Sequence, residues 1–390
     1  MKKEKKETRK DYTYIRTALS LLTGITCGIL LGPYIKFFYE QGVNAEVLLL
    51  LLAVLTLILY AVFFLQILIH ETGHLLFGTL TGYRYSSFRI GSFMWIKENG
   101  KLRFRRLSLA GTGGQCLMAP PDMVDGKLPV FLYNMGGSIL NLVFVLIFLS
   151  LSMLCGNAQL LSRLFQVAAV TGLYDALVNG IPMRFKLLDN DGYNALSLRK
   201  SKGAVRFFWI EMKITELTAA GVRLKDMPEE WFVVPTASEL QTNMGVTIGV
   251  FVCNRLMDCH LFKEADRLMA QLLQDQTAIT GLHRDLLLYD RIYCELVGEN
   301  RQARLEELQN QRQKKLLKFL KKCPSVLRTK YTYSLLAAQD LATADQIKRQ
   351  FKACARTYPY SIDIQSEREL IKIAEDKLSS AVCAPAVSPC

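Results

Sequence analysis

The sequence predicts an α-helical, multi-pass membrane domain with a β-hairpin insertion, followed by a mostly α-helical soluble domain. Three observations carry that reading. Half of the 390 residues are hydrophobic, and nearly all long apolar runs fall before residue 185. Four of those runs, near 15–38, 45–79, 130–154 and 160–181, approach or exceed the roughly 20 residues a membrane helix needs. From about 190 onward, charges of both signs alternate with apolar residues at helical spacing, such as Phe262, Ala265, Leu268, Met269 and Leu272.

Taken in order, residues 1–14 form a basic N-terminus. The first span lacks the short apolar core and small-residue cleavage site of a signal peptide, so it reads as uncleaved, with the N-terminus in the cytoplasm. The link to the second span carries Glu40 and Glu46 but no Lys or Arg, which places it outside. The second span, 45–79, is longer than a bilayer requires, so its last turns emerge on the cytoplasmic side. Residues 82–129 then hold eight Lys/Arg against three Asp/Glu and are expected in the cytoplasm.

A hairpin is expected within 84–109. Aromatic and β-branched residues run through Tyr83–Ile90 and Phe93–Ile96, and Asn99-Gly100 supplies a tight turn before Leu102–Leu109. Tyr85, Phe88, Phe93 and Trp95 read as a packed or membrane-surface face of it. Gly111-Thr112-Gly113-Gly114 reads as a turn, because no Lys-Ser/Thr follows to make a phosphate loop. The third span carries Asn134, Gly136, Gly137 and Asn141, and the fourth carries Asp175, expected to contact a neighbouring helix. Four spans return the chain to the cytoplasm. The domain 15–190 is thus membrane-embedded, and the protein is expected in the cell membrane with both termini inside.

Residues 191–377 read as a cytoplasmic helical domain. An Ala-Asp pattern recurring at Ala265-Asp266 and Ala344-Asp345 hints at tetratricopeptide-like helical hairpins. A basic stretch, Arg312–Lys330, reads as a solvated helix face, and 378–390 as a loose tail. The net charge of +13 does not mark a nucleic-acid binder, because many of the basic residues flank apolar runs. The ten cysteines fall mostly in segments assigned to the reducing cytoplasm, which argues against a disulfide framework. Cys253, Cys259 and His260 lack a second element to complete a metal cluster.

The chemistry concentrates in His70-Glu71-Thr72-Gly73-His74, near the end of the second span. On a helix, i and i+4 share a face, so His70 and His74 can hold one metal ion with Glu71 beside it as general base. Ionisable groups at membrane depth are costly and usually functional. A catalytic zinc takes a third protein ligand. The other two histidines, His260 and His283, lie far along the soluble domain, so a carboxylate of the membrane domain is expected, with Asp175 and Asp191 as candidates.

These residues resemble the site-2 protease family of intramembrane zinc metalloproteases. There the H-E-x-x-H helix is followed by an Asn-x-x-Pro turn and an Asp-Gly pair. This chain has Asn179-Gly180-Ile181-Pro182 and, after Met183–Asn190, Asp191-Gly192. The separation is longer than in the commonest family pattern, and Asp189 stands nearby. The resemblance, over roughly 45–195, makes Asp191 the third metal ligand and Asn179 the polar group near the substrate carbonyl or oxyanion. Asp191 is preferred to Asp189 because Gly192 lets the backbone turn close to the metal. Gly137 and Asn141 match the small-residue and Asn pattern of the intervening span. The family implies zinc, a membrane protein or peptide precursor as substrate, the lipid bilayer as medium, and peptide hydrolysis with Glu71 as base. A protein partner is expected for the helical domain. The competing expectation is a catalytically inactive membrane scaffold or transporter accessory, and a metal-ion transporter is a third.

Overall fold

The computed structural model describes residues 13–98, 100–107, 112–156, 158–183, 189–198, 202–274, 277–311, 320 and 323–383. The basic N-terminus (apart from Thr13 and Tyr14), most of the basic stretch from 312 and the end of the tail lie outside the described residues. The chain forms two compact units, one from residues 1–91 and 112–205, the other from 92–111 and 206–390.

The first unit is built on α1 (Thr13–Glu40), α2 (Ala45–Leu80), α3 (Val130–Leu154) and α4 (Gln159–Gly180). Helices α1, α2 and α3 are long and apolar enough to cross a membrane. Helix α4 occupies the fourth expected span but carries Arg163, Gln166 and Asp175, and it is not among those three. Its small residues Ala168 and Ala169 pack with Ile69, Val145 and Phe148 of α2 and α3. Asn44 caps α2 by accepting the Val47 N–H. The helix ends where Gly82 takes φ +89°, with Tyr83 N–H donating to the Gly78 carbonyl and Gly82 N–H to that of Thr79. This left-handed ending favours glycine and turns the chain back along its own helix.

That reversal launches β1 (Arg84–Ile90), which pairs antiparallel with β4 (Gly114–Ala119). Strand β4 was not expected from the sequence. Its Gln115-Cys116-Leu117-Met118 run has no clear polar–apolar alternation, because it is held by pairing with β1 and by burial of Cys116, Met118 and Ala119. The expected hairpin is therefore β2 (Phe93–Glu98) with β3 (Lys101–Arg106), whereas β1 takes a partner beyond 109. The short α5 (Asp191–Leu198) packs against α3 and α4. It thus belongs to the first unit, not to the helical domain that the sequence starts at 191.

The second unit contains the β2–β3 hairpin and helices α6 (Lys202–Ala219), α7 (Asn243–Asp258), α8 (Phe262–Leu272), α9 (Gly281–Val297), α10 (Gln302–Asn310), α11 (Pro324–Leu336), α12 (Leu341–Thr357) and α13 (Ser361–Cys383). Neighbours in sequence pack as pairs, α7 with α8, α9 with α10 and α11 with α12. Side chains at three starts, Thr242, Thr280 and Asp340, accept the N–H three residues on. Buried Met269, Leu272, Cys253 and Tyr293 lie in the main core. Helix α13 continues to Cys383, past the start of the expected tail. The Ser379 and Ser380 hydroxyls bond back to the Glu375 and Asp376 carbonyls, so these serines stay compatible with the helix.

Candidate metal centre

Near its C-terminal end α2 stops being an apolar rod. Gln66, His70 and His74 recur every four residues and so share one face, with Glu71 beside them. All four are buried, although most of the helix surface is not. Room for them comes from small residues on α3. A methyl group on Gly137 would stand 2.5 Å from Cε1 of His70, and one on Gly73 would stand 2.3 Å from the Gly136 carbonyl oxygen. The backbones of α2 and α3 therefore approach where only glycine fits.

Three donor atoms converge there. Nε2 of His70 lies 3.0 Å from Oδ2 of Asp191 and 3.2 Å from Nε2 of His74, and Nε2 of His74 lies 3.3 Å from the same carboxylate oxygen. Each imidazole is fixed from behind. His74 Nδ1 meets the Tyr133 backbone carbonyl at 2.8 Å, which can only accept, so Nδ1 carries the proton. His70 Nδ1 meets Oδ1 of Asn141 at 3.0 Å. The Asn141 amide nitrogen is turned to Oε1 of Gln66, whose own amide donates to the Ala168 carbonyl. Oδ1 of Asn141 is thus the acceptor, and His70 Nδ1 is also protonated.

In the neutral rings both Nε2 atoms then present bare lone pairs to each other and to a carboxylate. Three acceptors facing one point without a proton between them repel unless a cation sits there. Their mutual distances match the separation of about 3.3 Å between ligands of a tetrahedral zinc with bonds of about 2.0–2.1 Å. His70, His74 and Asp191 could therefore hold a metal ion, and they form such a group among the described residues.

Asp191 owes its position to the residue before it. Oδ1 of Asn190 accepts the N–H of Tyr193, capping α5, and also that of Met183. Its amide donates to the Val178 and Ile181 carbonyls at the end of α4. Met183 and Asn190 are bound to each other in both directions, which holds these two residues together. This accommodates the long separation between Asn179 and Asp191. Gly192 serves a different purpose from the one expected. A methyl group there would stand 2.1 Å from the Gly180 carbonyl, so glycine lets α5 pack on the end of α4. Asp175 and Asp189 are not members of the donor group.

Glu71 is covered by β4. A methyl group on Gly114 would stand 2.5 Å from its Oε1. Nearby, Arg89 is 1% exposed and donates to the carbonyls of Gly91 and Gly114 and to the Thr112 hydroxyl, which anchors the start of that strand. The amide of Asn179 donates to the Asp175 carbonyl of its own helix. Gln66, Asn190 and Tyr133 were not singled out from the sequence, and Gly114, read there as part of a turn, instead begins β4. Gln66 carried a readable signal, a polar side chain four residues before His70 inside an apolar run. The others depend on strand and loop placement.

A protein-family model described as Peptidase family M50 matches residues 58–381. No curated protein and no solved structure matches the chain.

Proposed function

The chain belongs to peptidase family M50, the site-2 protease family of intramembrane metalloproteases, and on that premise we propose that it hydrolyses peptide bonds of a membrane-associated protein or peptide precursor at the His70/His74/Asp191 centre. The observation that carries this reading is the convergence of Nε2 of His70, Nε2 of His74 and a carboxylate oxygen of Asp191 beside a buried glutamate. Zinc held by them would supply Lewis-acid polarisation of a water molecule and of the scissile carbonyl.

The chain's own groups do the rest. Glu71, next to the donors and shielded by the Gly114 strand, takes a proton from the attacking water and returns it to the leaving amine. The proton on Nδ1 of each histidine keeps Nε2 aimed inward, with Asn141 and the Tyr133 carbonyl as the fixed points. Asn179 stabilises the substrate oxyanion. Its amide is committed to the Asp175 carbonyl, so this role requires that bond to be exchanged for one to substrate. Four spans with both termini in the cytoplasm complete the reading, α4 crossing in contact with α2 and α3, which shelter its polar side chains. The paired helices of the second unit form a tetratricopeptide-like array that recruits a protein partner. The intact donor set gives no support to an inactive scaffold.

Glu71→Gln tests the proposal. The variant should retain the wild-type metal content and lose about 10²–10⁴-fold in cleavage of a membrane-bound reporter. Cleavage at the wild-type rate would remove Glu71 from the reaction.

A further inference from the structure

The β2–β3 hairpin has two faces of opposite character. Met94 and Ile96 are fully buried and pack with Leu107, Ala219 and Tyr360 of the helical unit. On the same side Arg105 pairs with Glu98 at 2.9 Å, and Ser361 donates to Glu98 as well. Cross-strand register places Phe93, Trp95 and Lys97 opposite Arg106, Phe104 and Leu102 on the other face. That face is open, with Phe93 44%, Trp95 39%, Phe104 52% and Leu102 64% exposed. Phe104 contacts both Phe93 and Trp95, with centroids 5.9 and 5.7 Å away, and the Arg106 guanidinium lies over Phe93.

We infer that this face docks the helical unit on an anionic bilayer surface. Three arguments select lipid as the occupant. The face combines aromatic rings with Lys97 and Arg106 and carries no acid, which is the composition of a membrane interface and complements negative headgroups. The one acid of the hairpin, Glu98, lies on the opposite face, where Arg105 and Arg103 pair with it, so it does not offset the charge of Lys97 and Arg106. The chain is also tethered to a bilayer nearby. Only Thr81–Ser92 joins the apolar α2 to Phe93, a run that spans at most about 40 Å even fully extended. Exposed aromatic area on such a tether is accounted for by insertion at headgroup depth. The inference does not depend on the chemistry of Glu71 or on the metal.

The test uses the full chain in nanodiscs of phosphatidylcholine, with or without phosphatidylglycerol, containing lipid brominated on the upper acyl chain. The Trp95 signal is the fluorescence of wild type minus that of Trp95→Phe, which removes the contributions of Trp209 and Trp231. Bromolipid should quench most of that signal in anionic discs and less in zwitterionic ones, while acrylamide in the water quenches little. Lys97→Glu/Arg106→Glu should abolish the anionic preference. Quenching by acrylamide and not by bromolipid would overturn the inference. Protection from both would mean a protein surface covers the face and would also overturn it. Equal quenching in the two lipids would overturn the anionic part.

Discussion

The chain buries ionisable groups in two places and treats them in opposite ways. In the helical unit, Arg328 is 1% exposed, donates to Glu367 and Asp290, and lies over the Tyr293 ring. A second buried arginine, Arg223, pairs with Asp258 and Glu369. Each cation there meets carboxylates from its own chain. In the membrane unit, His70, His74 and Asp191 turn three acceptors toward one point, while the protons of the rings are held on the far side. The first arrangement already pairs each cation with two carboxylates. The second gathers three groups that could hold a cation. Burial of charge therefore marks a functional centre when the pairing is left open, and a structural one when it is closed.

The largest expected effect separates the two directly. Asp191→Ala should lower zinc affinity by more than the roughly 100-fold upper range for a residue that acts through a ligand. It should leave the tryptophan-monitored unfolding of the helical unit where it was, since Trp95, Trp209 and Trp231 all lie in that unit. The converse variant is Arg328→Ala. It leaves Asp290 and Glu367 buried without their cation, at a cost of about 3–5 kcal/mol. The tryptophan-monitored denaturation midpoint should fall while the metal content stays at the wild-type level. A metal loss in Arg328→Ala would break the comparison.

A smaller effect is expected behind the ligands. Asn141→Leu removes the acceptor for His70 Nδ1 and the partner of Gln66, freeing the ring to rotate or change tautomer. Zinc affinity measured by competition with a chelator should fall about 10–100-fold. An unchanged affinity would mean that packing against Gly137 alone orients the ring.

The smallest effect is a pH dependence of the helical unit. Burial pushes the Asp363 carboxyl up to about 7, with the Glu367 and Asp258 charges adding to it. In the unfolded chain it titrates near about 3.9. Between those values the folded chain holds a proton that the unfolded chain has released. Its contribution is full below about pH 4 and is lost as pH rises to about 7. Asp363→Asn should flatten that decline in the denaturation midpoint. An equal slope in both proteins would assign the decline to other groups.

What could be read from the sequence follows the range of the forces involved. The apolar runs that become α1 to α3 were legible because membrane helices satisfy their own backbone and need only length and apolarity. The His70/His74 pair was legible because it is spaced by one helical turn. Asp191 could be reached only through the family pattern, and Asp175 and Asp189 stayed open beside it. The place of Asp191 beside the histidines is set by Asn190, whose four side-chain hydrogen bonds join α4, Met183 and α5. The partner of β1 was not legible either, because pairing with β4 skips over the intervening hairpin and leaves no local signal. The same holds for the role of Gly192, which answers to a carbonyl on another helix.

The central claim is that the three donors hold a cation, and metal content tests it most directly. The full chain, purified and exposed to zinc and then freed of excess, should contain one zinc per chain by elemental mass spectrometry. His70→Ala, His74→Ala and Asp191→Ala should each contain almost none, while Asp175→Asn and Asp189→Asn should match wild type. A wild-type chain that takes up no metal would contradict the claim, and so would an Asp191→Ala chain that keeps its full content.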